Sequence, residues 1–146
     1  CVWAAARFAK SGIQVLVTCV VEPGRFRMAR DTIEAEFVAS DADLTSLFPS
    51  DLPRIIVSHT RPEPMAGVLR RIDLGPLRTR YLGFRNRGGT LDTAGLLFAN
   101  GTTWAHIVHQ GCEALGVATA LHLSAEELQA TRFIGNPKVV MTPPVD

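Results

Sequence analysis

Three consecutive β-branched residues, Ile55-Ile56-Val57, stand between Pro53 and the polar corner Ser58-His59-Thr60-Arg61. An apolar run this short, bounded by turn formers, reads as a buried strand. Prolines 62 and 64 open a helix that ends at Arg70-Arg71, and residues 77–84 read as the next strand. If that helix (residues 62–72) is a crossover, the two strands are parallel neighbours with their carboxyl ends on one side. Parallel sheets bind ligands at that side. The corner at His59 and Arg61 then faces Arg85 and Arg87, which leave the second strand toward Gly88-Gly89. An arginine fork suits phosphate or carboxylate, so these four residues form the candidate anion-binding edge.

The same logic extends along the chain. Residues 13–21 (I-Q-V-L-V-T-C-V-V) are nearly continuous and β-branched, which predicts a strand covered on both faces. Residues 117–123 are predicted as a final strand. Between the strands lie helices with readable ends. Ser40-x-x-Asp43 and Ser124-x-x-Glu127 open helices, Thr102 or Thr103 opens another at Trp104, and Gly12, Asn100-Gly101 and Gly116 close three. Strands alternating with helices predict a three-layer αβα domain with a mostly parallel sheet over residues 1–123. Residues 124–146 read as a helix and a Pro-rich tail. The start at Cys1, with no Met, reads as a processed or truncated terminus, from which a preceding strand is missing.

Composition narrows the functional classes. The 146 residues suffice for one domain with a real core. With 15 basic and 14 acidic residues the formal charge is +1, which gives no general case for nucleic acid or a membrane surface. The seven arginines between 61 and 87 are a local excess. Three scattered cysteines match neither a disulfide framework nor a zinc motif, which points to a reducing, cytoplasmic setting. His106, His109 and Cys112 recur every third residue, but that spacing rotates around a helix and does not converge on one ion. Their helix is expected to form a packing or subunit face. Trp3, Trp104 and the late histidines predict a large interface, on the order of 2,000 Å².

The order of segments resembles the C-terminal domain of the thiamine-diphosphate-dependent transketolase superfamily, and its phosphoketolase branch in particular. The resemblance runs through Val20-Val21, residues 39–44 (A-S-D-A-D-L), Leu47-Phe48 and Pro53-Arg54-Ile55-Ile56. It continues through His59, Pro62, Arg70-Arg71, residues 78–81 (R-T-R-Y), Gly89-Thr90 and residues 104–108. Where the family has Gly-Tyr-Pro-Trp after its histidine, this chain has Thr60-Arg61-Pro62-Glu63. The family's Thr-rich turn with Pro-Phe-Asp is replaced by residues 90–94 (T-L-D-T-A). The resemblance implies a domain or small subunit of a ketol- or acyl-transferring enzyme acting on a sugar phosphate. Thiamine diphosphate and Mg²⁺ would be bound by its other domains or subunits, and no catalytic or metal-binding residue would lie in this chain. Its share would be assembly and the border of the substrate channel. The alternative is a standalone ligand-sensing or assembly module on the same fold. A small hydrolase using His59 has no evident nucleophile.

Overall fold

The computed structural model describes residues 1–85 and 89–144. Helix α1 (Val2–Lys10) leads into an extended stretch, a 3₁₀ turn (Pro23–Phe26) and the single-turn helix α2 (Thr32–Ala35). Helix α3 (Asp41–Leu47) precedes strand β1 (Arg54–Val57). Helix α4 (Pro62–Val68), a 3₁₀ turn (Arg70–Ile72) and strand β2 (Thr79–Leu82) follow. The chain then forms α5 (Thr93–Ala99), α6 (Trp104–Leu115), a 3₁₀ turn (Thr119–Leu121), α7 (Ala125–Thr131) and α8 (Lys138–Met141). The protein is therefore a mixed α/β chain.

Strands β1 and β2 pair in parallel, from Arg54 opposite Thr79 to Val57 opposite Leu82. They form a two-stranded sheet whose crossover is α4. Alternation sends its side chains to two apolar clusters. Ile55, Val57 and Leu82 join the larger one, with Phe8, Trp104, Val108, Cys112 and Val140. Ile56 and Tyr81 join the smaller one, around Leu44, Leu69 and Ile72. Helical elements thus cover both faces of the ribbon.

The helix ends follow their local chemistry. Ser40 with Asp43, and Ser124 with Glu127, form complete capping boxes, each satisfying two backbone donors. Thr103 stands at the start of α6, and Gly116 ends it at φ 70°. Replacing Ser124 by Ala is expected to cost about 1 kcal/mol in urea unfolding, because the Glu127 amide loses its acceptor.

Two expected strands are absent. Residues 13–21 lie in no strand, and Leu16 and Val21 stay 62% and 90% exposed. Their β-branched character favours extended backbone, but no neighbouring strand supplies a ladder among the described residues. Residues 117–123 are not a strand either. The Thr119 carbonyl accepts from the amides of His122 and Leu123, a closed turn that extended backbone cannot make. The four-stranded sheet is thus reduced to its β1–β2 portion. The tail is also more than a tail. Val140 of α8 and Ala130 of α7 are fully buried in the larger cluster. Arg7 ties α1 to α7 through Glu127 at 2.7 Å. No described helix is long and apolar enough to cross a membrane.

Candidate functional site

The corner that follows β1 is held by hydrogen bonds that continue past the strands. The Ser58 amide donates to the Leu82 carbonyl at 2.9 Å, and the Phe84 amide to the Thr60 carbonyl at 3.0 Å. Ser58 Oγ lies 3.1 Å from the Thr60 carbonyl and closes the turn. This zipper places His59 and Arg61 on one side of the sheet end, and Arg85 two residues beyond the buried Gly83. Arg61 occupies the N-cap position of α4, and Pro62 supplies the first helical residue. The parallel pairing therefore brings three of the four expected site residues to one end of the sheet. Arg87 lies outside the described residues.

His59, Arg61 and Arg85 are all exposed, and no hydrogen bond or ion pair joins them among the described residues. The Arg85 amide donates to Asn100 Oδ1 at 2.6 Å, which pins the start of its loop to the end of α5. Other arginines of the same basic stretch are absorbed by structure. Arg71 pairs with Asp41 at 2.7 Å and donates to the Ala39 carbonyl at 2.8 Å. Arg78 donates to the Asp51 carbonyl. Among the described residues no carboxylate pairs with Arg61 or Arg85.

His59 also borders a groove of about 350 Å³, with Val57, Ser58, Thr103 and Trp104 in its wall and Val140 and Met141 of α8 at its margin. Sequence reading missed the α6 and α8 walls. The signal for α8 was present in Asn136-Pro137, a helix opener ahead of Val139-Val140-Met141, and Asn136 Oδ1 does accept from the Lys138 amide.

The late aromatic and imidazole residues behave differently from the expected interface. Trp104 is 3% exposed, and His106 and His122 are buried within the chain. Trp3 alone of the tryptophans remains exposed. His106, His109 and Cys112 do not converge. Thr103 Oγ1 meets His106 Nδ1 at 2.7 Å, and His109 Nδ1 meets Thr131 Oγ1 at 2.9 Å. Cys112 is fully buried, and its thiol is pushed up by that burial. Among the described residues no group of three His, Cys, Asp or Glu side chains is placed to hold a metal ion.

His106 is the most perturbed imidazole. Burial first, then the positive charges of His109 and Arg85, push it down to about 4. Its ring packs between Phe98 and Phe133, and its Nε2 has no hydrogen-bond partner among the described residues. A folded value below the ordinary 6.5 means that the fold favours the neutral ring. Its contribution is complete above pH 6.5 and is lost as the pH falls toward 4. The unfolding free energy is expected to fall by about 3 kcal/mol more across that window in the parent than in His106→Gln, measured by urea titration at each pH. Equal slopes in the two proteins would show that His106 carries no such linkage.

No family model, curated protein or solved structure matches the chain.

Proposed function

We propose that this chain is the C-terminal domain or small subunit of a thiamine-diphosphate-dependent enzyme of the transketolase and phosphoketolase type. In this reading it completes a three-layer, mostly parallel αβα domain in the cytoplasm. It contributes assembly and one border of the substrate channel. Thiamine diphosphate and Mg²⁺ would belong to the other domains or subunits. The observation that carries the reading is the β1–α4–β2 unit. It sets the His59–Arg61 corner beside Arg85 at the carboxyl end of a parallel pair, with both arginines free of carboxylate partners among the described residues. Unpaired guanidinium groups are suited to hold a sugar phosphate along such a path.

Several of the resembling segments lie in regular elements, while Val20-Val21 lies in no strand. The residue 39–44 segment forms the capped start of α3, Pro53-Arg54-Ile55-Ile56 enters β1, and Pro62 opens α4. The test is turnover by the native assembly that contains this chain, with a ketose phosphate as substrate. Activity should require thiamine diphosphate and Mg²⁺. Arg61→Gln with Arg85→Gln should raise KM for the phosphorylated substrate with kcat nearly unchanged. An assembly without cofactor dependence would sink the proposal and favour a non-enzymatic module. Dissociation with intact kinetics would make the two arginines interface residues.

A further inference from the structure

The groove lined by Val57, Ser58 and His59 lies at the carboxyl end of β1, the side on which open α/β sheets receive ligands. Its volume of about 350 Å³ is at the small end of the range for small-molecule sites. Its hydroxyl and imidazole side chains are Ser58, His59, Thr102 and Thr103. Among the described residues no Asp, Glu, Lys or Arg lines it, and Arg61 and Arg85 both stand outside it. Three of the lining side chains have already spent their donor hydrogens on backbone. Ser58 Oγ donates to the Thr60 carbonyl at 3.1 Å, and Thr102 Oγ1 to the Leu97 carbonyl at 3.1 Å. Trp104 Nε1 donates to the Thr142 carbonyl at 2.8 Å. A hydroxyl has one hydrogen and two lone pairs, so Ser58 and Thr102 have only lone pairs left for a ligand.

We propose that this groove binds a small, uncharged aromatic molecule with a hydrogen-bond donor at one edge, of the phenol class. The donor answers the lone pairs of Ser58 and Thr102. A carboxylate or phosphate would bring only further lone pairs, and would shed its hydration with no Lys or Arg beside it among the described residues. The aromatic body answers the walls. Trp3 is 46% exposed, so a ring laid against it removes apolar surface from water and gains edge or offset contact. Met141 adds a thioether, which packs favourably at a ring edge. Leu97, Ile107 and Val140 complete an aliphatic lining that suits a flat, apolar ligand. The site is separate from the anion edge, because His59 alone borders both. It therefore holds whether or not the chain serves a sugar-phosphate enzyme.

The probe is para-ethylphenol, uncharged at neutral pH, titrated into the full chain and followed by NMR. Saturable shifts are expected at the Trp3 indole N–H and at the Leu97 and Ile107 methyl groups. The O-methyl ether of the same compound keeps the ring and loses the donor, so it should bind about tenfold more weakly. The carboxylate analogue, para-hydroxyphenylacetate, should also bind more weakly than the phenol. Thr102→Val removes one set of lone pairs and should narrow the gap between phenol and ether. Ala94→Leu, which fills the groove from α5 without touching a hydroxyl, should abolish binding of both while the thermal midpoint is kept. That variant decides the matter even where Thr102→Val is too unstable to titrate. Absence of saturable binding overturns the proposal, as does unchanged affinity in Ala94→Leu, which would place the ligand elsewhere. Equal affinity of phenol and ether would reduce the groove to a plain apolar pocket and overturn the donor assignment. Tighter binding of the carboxylate would make it an anion site and overturn the proposal as well.

Discussion

Replacing Trp104 by alanine is expected to lower the unfolding free energy by about 3–5 kcal/mol. The indole sits in the first turn of α6 and is almost wholly buried. Its Nε1 donates to the Thr142 carbonyl at 2.8 Å, which fixes the end of α8. The Arg7 guanidinium lies 4.9 Å from its ring centroid, and Arg7 in turn pairs with Glu127 on α7. One side chain thus holds α1, α6 and α8 together, with α7 coupled through Arg7. Alanine leaves a cavity, an unpaired carbonyl and a guanidinium without its ring. Trp104→Phe keeps most of the apolar volume and loses the hydrogen bond, so it should cost about 1–2 kcal/mol. Urea unfolding followed by circular dichroism checks both. A loss below about 1 kcal/mol for the alanine variant would show that the helices are held elsewhere.

What the sequence disclosed divides along a physical line. Elements set by local chemistry were readable, because their signals lie within four residues of the structure they specify. The Ser40–Asp43 and Ser124–Glu127 boxes, the Gly116 stop and the proline-bounded β1 are of this kind. Elements set by a partner were not. Residues 13–21 state a preference for extended backbone but cannot state which strand will accept their amides. Residues 117–123 carry strand-like residues, yet the Thr119 turn claims them because Leu123 is drawn into the core.

The site shows the same split. The corner at His59 and Arg61 was legible, since a parallel crossover leaves one choice for where its ends lie. The fate of residues 101–108 was not. All eight are buried, although glycine, threonine and histidine alternate there with apolar residues. No single apolar face announces such a stretch, and periodicity reads it as half-exposed. Helix α8 is four residues long, shorter than two helical turns, so no period can be seen in it.

Gly83→Ala is expected to cost about 3 kcal/mol or more, at the upper end for overpacking. Here β1 and β2 leave the sheet side by side. A Cβ on residue 83 would stand 2.3 Å from the Thr60 carbonyl oxygen, 3.1 Å from Ser58 Oγ and 3.4 Å from Pro62 Cδ. The nearest of these is backbone and cannot swing away as a side-chain tip can. That oxygen is also the acceptor for the Phe84 amide, so relief of the clash breaks the hydrogen bond that zips the two strand ends. The turn carrying His59 and Arg61 must then move away from Arg85. Gly67→Ala is the matched control. It lies on α4 with no atom near the added methyl, and a helix interior gains about 0.5–1 kcal/mol from the change. Denaturant unfolding should therefore separate the two glycines in sign as well as size, and amide exchange at Phe84 should rise only in Gly83→Ala. Parental stability in that variant would mean that the strand ends are not in contact. The placement of Arg61 beside Arg85 would then lose its structural basis.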